Sequence, residues 1–166
     1  MIRRLWIALA LALVPLGAFG QTITRSPLPY ASGSFTPTVT FATPGDLSVS
    51  YAAQTGTYVR VGQMVLITVT LTFTPTYTTA SGAFTITSLP YTITGTPTAA
   101  VADLNSSFAW PGSTDSMVVV RQTSSTGLKL YGMKTAGNGS NFTTTNLPTG
   151  SQFIVTLSMI YQTPDS

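Results

Sequence analysis

The sequence predicts an all-β chain, folded as an antiparallel β-sandwich or jelly roll, and three observations carry that expectation. Apolar residues alternate with a period of two over long stretches. About thirty of the 166 residues are Thr, and Val, Ile, Tyr and Phe are plentiful, a composition that suits pleated, half-buried surfaces. Turn-forming clusters of Gly, Pro, Asn and Asp recur at short, fairly even intervals. No stretch after residue 20 carries a helical apolar stripe, and the length suits one domain.

Residues 1–20 read as a secretory signal peptide. They open on Met1-Ile2-Arg3-Arg4, run apolar from Leu5 to Val14, and leave through Pro15, Gly17, Ala18 and Gly20. A charged start, a greasy core and small exit residues form the export pattern, with Ala18 and Gly20 placed for a cut at Gln21. The apolar run is short against the roughly 20 residues of a spanning helix, so membrane contact is expected only through the leader before cleavage. Residues 21–32, with Pro27 and Pro29, read as an extended lead-in. Residues 33–166 form the expected sandwich domain.

Within that domain the clearest strand is Met64 to Phe73, where Val65, Ile67, Val69, Leu71 and Phe73 alternate with Thr68, Thr70 and Thr72. One buried face follows. Phe153 to Tyr161 also alternates but carries Ile154 and Ile160 among its other set, so it is expected to be central or covered on both sides. Weaker strands are expected at Phe35–Phe41, Leu47–Tyr51, Thr57–Val61, Phe84–Leu89, Ala99–Leu104, Met117–Arg121 and Leu128–Met133. The turns between them include Pro44-Gly45-Asp46, Ser81-Gly82, Pro111-Gly112 and Gly137-Asn138-Gly139.

The inventory of reactive groups is poor. The chain has no His, no Cys and no Glu, and its acids are Asp46, Asp103, Asp115 and Asp165. Imidazole-assisted nucleophiles, thiolates, zinc sites and disulfides are thereby excluded. No dense Asp/Asn cluster offers a calcium cage. The expectation is a protein that is not an enzyme, with no cofactor and no metal. The net charge of +3 falls to +1 once Arg3 and Arg4 are set aside. Arg25, Arg60, Arg121, Lys129 and Lys134 are scattered, so no phosphate-neutralising stripe exists and no nucleic-acid partner is expected.

The segment from Gly33 to Tyr91 resembles a module recurrent in bacteriophage tail fibres and related virion appendages. Its opening is Phe35-Thr36-Pro37-Thr38-Val39-Thr40-Phe41. The core signature is aromatic, Gln, Gly, Tyr, basic, Gly and Val, here Tyr51, Gln54, Gly56, Tyr58, Arg60, Gly62 and Val65. The segment closes on Ile86-Thr87-Ser88-Leu89-Pro90-Tyr91, where the similar pattern has Gly in place of Ser88. The resemblance implies a receptor-binding tip: a sandwich that forms a homotrimer at the end of a fibre and contacts a host surface glycan or protein receptor. It implies a virion-associated location; the leader implies export to the periplasm or beyond. The strand-and-turn context of Gly56, Tyr58, Arg60 and Gly62 gives these motif residues a scaffold role.

The residues singled out for ligand binding lie in Asn105-Ser106-Ser107-Phe108-Ala109-Trp110-Pro111-Gly112-Ser113-Thr114-Asp115. Trp110, the one Trp beyond the leader, sits before a Pro-Gly turn. With Asn105 and Asp115 it suits a sugar platform, the ring covering C–H groups and the polar groups taking hydroxyls. The competing expectation, favoured by the usual burial of large aromatics, is that Trp110 plugs the end of the core. Asp103 and Asp115 flank Trp110 and are the one arrangement to weigh for sugar cleavage, although solvated loop carboxylates are the commoner state of such residues. Asp46 reads as a turn residue. Two other functions remain compatible with the sequence: an exported bacterial adhesin-like or structural module, and a small outer-membrane β-barrel.

Overall fold

A computed structural model describes residues 28–112, 115–134 and 139–164, with the backbone alone over 95–101, 115–116 and 134. The expected signal peptide and the lead-in up to residue 27 lie outside the described residues. The strands are β1 (Tyr30–Phe35), β2 (Thr38–Thr43), β3 (Ser48–Val61), β4 (Met64–Thr76), β5 (Ser81–Thr87), β6 (Thr94–Leu104), β7 (Asp115–Ser124), β8 (Gly127–Lys134), β9 (Ser140–Asn141) and β10 (Phe153–Gln162). One 3₁₀ turn, Thr144–Asn146, precedes β10.

Every pairing is antiparallel. The first sheet runs β1-β3-β4-β10-β6, and the second runs β2-β5-β8-β7 with β9 on β8. The two sheets face each other, and their inward side chains make one core. The all-β antiparallel expectation therefore holds. The described strands form two open sheets with apolar side chains inside, so the barrel alternative, which needs a closed wall with apolar residues outside, does not describe this fold.

β4 shows why the sequence builds this wall. Val65, Ile67, Val69, Leu71 and Phe73 are essentially inaccessible, while Met64, Leu66, Thr68 and Thr70 are exposed. Each buried side chain of this kind contributes about 1.5–3 kcal/mol of transfer free energy. A slip of one residue would invert the set and is strongly disfavoured. β10 supplies Phe153, Val155, Leu157, Met159 and Tyr161 to the same face. The second sheet answers with Val39, Phe41, Phe84, Ile86, Val120, Leu128 and Leu130.

Four expectations need correcting. Phe35–Phe41 is not one strand: Thr36 and Pro37 lie outside both β1 and β2, which belong to different sheets. Pro37 has no N–H to give to a ladder, so the chain changes sheet there. Leu47–Tyr51 and Thr57–Val61 are halves of one long strand, β3, whose register shifts between Tyr51 and Ala53. The extra residue of that bulge broke the apparent alternation. The first strand begins at Tyr30, three residues ahead of the boundary expected at Gly33. Finally, Ser81 and Gly82, expected as a turn, open β5, with Gly82 at φ +87. β10 is central, between β4 and β6, as expected, and its second face is open, with Ile154 exposed and Ile160 half-buried.

Candidate functional site

The loop from Leu104 to Asp115 leaves the first sheet at β6 and enters the second at β7. Asn105 pins its start. The Asn105 N–H donates to the Ile154 carbonyl at 3.2 Å, and the Ile154 N–H donates to Asn105 Oδ1 at 3.1 Å. Asn105 Nδ2 donates to Ser107 Oγ at 3.1 Å and to the Gln152 carbonyl at 3.2 Å. Three residues on, Phe108 turns inward and is buried. Its ring lies 4.8 Å from Phe153, 5.8 Å from Phe142 and 6.4 Å from Phe84, all edge to face, the arrangement the ring quadrupole favours. The Ala109 N–H then donates to the Asn146 carbonyl at 3.0 Å. Asn146 is itself buried, and its Oδ1 accepts from the Thr143 N–H at 2.7 Å.

This anchoring leaves Trp110 outside. Trp110 is 49% exposed, and its ring leans on Phe142 with centroids 6.2 Å apart. The expectation that Trp110 plugs the core is therefore corrected: Phe108 is the plug. Both rings meet Phe142, but Phe108 alone also reaches Phe84 and Phe153 and is buried, while Trp110 stays at the edge of the cluster. Beside the Trp110 ring lies a cavity of about 290 Å³ lined by Leu104, Asn105, Ser106, Phe108, Trp110 and Phe142. Aromatic walls with a few polar groups at the rim match the general chemistry of a small-ligand cleft. Sequence reasoning singled out the segment that holds Asn105, Ser106, Phe108 and Trp110, with ligand roles for Asn105 and Trp110, but missed Leu104 and Phe142. Phe142 stands 32 residues from Trp110 in the chain, and only its pairing beside β8 brings it here.

The acids behave differently. The Asp115 backbone opens β7 opposite Lys134, and its side chain lies outside the described residues. Asp103 is exposed on β6 opposite Thr156, in the other sheet. Among the described residues, no group of three or more acidic, His or Cys side chains converges on a metal-sized site. Asp46 is a structural clamp between two turns. Its carboxylate accepts from the N–H of Thr78 at 2.9 Å, from the N–H of Thr79 at 2.8 Å and from Thr79 Oγ1 at 2.9 Å. Those backbone hydrogen bonds, Thr79's first, hold its pKa well below the ordinary 3.8. A carboxyl whose folded pKa is depressed adds stability above its unfolded pKa and loses it as pH falls toward the folded one. Asp46→Ala is expected to lower the melting temperature at pH 7. Below about pH 4 the two proteins should converge, because the wild-type carboxylate becomes protonated in the unfolded chain. Parallel melting curves from pH 7 to pH 2 that never approach each other would refute the clamp.

The motif residues hold the module together. Tyr51 Oη accepts the Val39 N–H at 2.9 Å, and Gln54 Nε2 donates to the Pro37 carbonyl at 3.0 Å. A Cβ on Gly56 would meet the Phe35 ring at 2.5 Å, so glycine is what lets that ring lie flat on β3. Tyr58 meets Tyr91 edge to face at 5.3 Å, and the Arg60 guanidinium sits 4.9 Å above the Tyr91 ring. Arg60 is buried, and its Nε donates to the Gly62 carbonyl at 2.8 Å, closing the β3–β4 turn, where Gly62 takes φ +61. Tyr161 donates to the Tyr91 carbonyl at 3.2 Å, and burial pushes its hydroxyl up to about 12. Ser88 has φ +65, a conformation that costs a side-chain-bearing residue about 1–2 kcal/mol. That is the position where the resembled pattern carries Gly.

Fold and site together define an antiparallel sandwich with an aromatic-walled cleft at the end that the β6–β7 loop covers. No protein-family model matches the chain, and no curated protein matches it. Among solved structures it is similar to the Dettilon tailspike protein (gp208), with a TM-score of 0.54 and 19% identity. The match covers 78% of this chain and 23% of the tailspike, so the chain spans less than a quarter of that protein's length. Likeness at this identity is a likeness of fold, to part of a phage tail-associated protein.

Proposed function

We propose that this chain is a non-enzymatic appendage domain of a phage or prophage tail that attaches to host cell-surface glycans as a homotrimer. The observation that carries this reading is the Trp110 ring, half-exposed beside a cleft and held there by the buried Phe108. Aromatic stacking on the C–H face of a sugar needs that geometry. The fold likeness to a tailspike segment and the resemblance over residues 33–91 support the tail setting. In this reading residues 1–20 are a leader removed on export, and residues 33–166 do the binding. Asn105 shapes the cleft from a fixed position, and Asp115 stands at the loop's far end.

The test is binding of the purified full-length gene product to an array of host surface oligosaccharides. Wild type is expected to bind a defined subset. Trp110→Ala should weaken that binding at least tenfold, as removal of a stacked aromatic anchor does. Its stability should change by no more than about 0.5 kcal/mol, because the site is at the surface. Equal binding by both proteins would remove Trp110 from the site. Sugar release that disappears in Asp103→Ala or Asp115→Ala would replace attachment by cleavage. The export leader favours a second reading, an exported bacterial adhesin-like or structural module. Mass spectrometry of purified particles separates the two, since only a tail component travels with them.

A further inference from the structure

The outer face of the first sheet carries an apolar patch with no covering element among the described residues. β3 and β4 meet there at their shared hairpin. Val61 stands opposite Met64, Val59 opposite Leu66, and Leu66 opposite Ile160 of β10. Leu28, just ahead of β1, completes a groove of about 390 Å³ over these five, with Tyr30 of β1 beside Val61. Apart from half-buried Ile160, these side chains are 39 to 70% exposed. The next rung along the same face is Thr57, Thr68 and Ser158, so the patch stops abruptly at a hydroxyl carpet. We infer that this patch is the face through which copies of the chain associate, each packing Val59, Val61, Met64, Leu66 and Ile160 against the same residues of another copy.

Three observations single out a second copy as the occupant. First, β3, β4 and β10 are interior strands with both edges paired, so an incoming peptide cannot add a strand over them. Only side-chain packing, face on face, is available. Second, no charged side chain stands in the two apolar rungs, because Arg60, between Val59 and Val61, points into the core. A charged partner finds no complement, whereas the identical patch is uncharged and complementary in polarity. Third, seven side chains of this size and exposure leave on the order of 600 Å² of apolar surface in water, near the ~800 Å² each partner gives to a standard interface. The number three for the assembly rests on the proposed appendage function; the face does not.

The test is the solution mass of the full chain, purified from expression of all 166 codons and measured by light scattering across a concentration series. Wild type is expected to be an oligomer. The double substitution Val59→Thr and Leu66→Thr keeps strand-compatible side chains, so the sheet survives while the apolar contact is lost. It should weaken association at least tenfold with an unchanged circular dichroism spectrum. The chain has no Cys, so Met64→Cys alone introduces one thiol at the centre of the patch. That thiol should label slowly in the oligomer and quickly after dilution to monomer. If the double variant misfolds, this labelling difference decides the matter. A monomeric wild type overturns the inference. A fast-labelling thiol in the monomer leaves the face bare, a slow one puts the chain's own first 27 residues over it, and flotation with phosphatidylcholine vesicles assigns it to lipid. An oligomer indifferent to both substitutions overturns it as well. A dimer that the double variant dissolves supports the face while refuting the count of three.

Discussion

Phe73→Ala is expected to destabilise the protein by about 3–5 kcal/mol, the range for deleting a buried aromatic ring. Phe73 belongs to β4, the middle of the first sheet, and is essentially inaccessible. Its ring stacks on Phe84 of the opposite sheet, with centroids 5.7 Å apart and planes 8° apart. On its own sheet it also meets Phe153 at 5.8 Å and Tyr51 at 6.4 Å. The substitution would leave a cavity that spans both layers, and neither sheet can close it without moving a paired strand. Against a total stability of roughly 5–15 kcal/mol, a loss of this size is a large fraction. Urea unfolding followed by circular dichroism should show a lower midpoint with an unchanged slope. A loss below about 1 kcal/mol would mean that the two sheets do not pack through this ring.

Phe108→Ala is the second substitution with a large expected effect, and it acts on stability and binding together. Phe108 is the inward anchor of the loop that carries Trp110, touching Phe84, Phe142 and Phe153. Deleting the ring should cost about 3 kcal/mol or more. It should also free the loop between its pins at Asn105 and Asn146, so that Trp110 loses its fixed place beside the cleft. Glycan binding is therefore expected to fall as far as in Trp110→Ala, although residue 108 contributes no exposed ring. Phe108→Leu, which keeps apolar volume, should recover most of the stability and part of the binding. Trp110 is the one Trp of residues 21–166, so in a chain that begins at residue 21 its fluorescence reports the loop directly. A red shift in folded Phe108→Ala is expected, and an unchanged spectrum with full binding would show that the loop is held by its hydrogen bonds alone.

The contrast between these two aromatics shows where sequence reading succeeds and where it stops. Alternation in Met64–Phe73 and Phe153–Tyr161 was enough to identify the core face, because burial in a strand repeats every two residues and needs no distant information. The motif Gly56, Tyr58, Arg60 and Gly62 was legible in the sequence, but the contacts that its spacing makes were not. Gly56 accommodates Phe35, and Tyr58 and Arg60 converge on Tyr91. These contacts join segments that lie far apart in the chain. The division of Phe35–Phe41 between two sheets was hidden behind a good strand pattern, and Pro37 was the one available signal. The continuity of β3 was hidden by a bulge that resembles a loop in sequence.

The sequence by itself determined an all-β chain, the inward set of its principal strands, and the scarcity of groups able to do proton or metal chemistry. These follow from local periodicity and from composition. The tertiary structure alone decided which strands share a sheet, that Phe108 rather than Trp110 fills the end of the core, and that an apolar hairpin face has no covering element among the described residues. Each of those outcomes depends on which distant residues arrive at the same place. Phe84, Phe142 and Phe153 converge where the buried ring of Phe108 meets all three, and no local pattern in the loop records which aromatic will be the buried one.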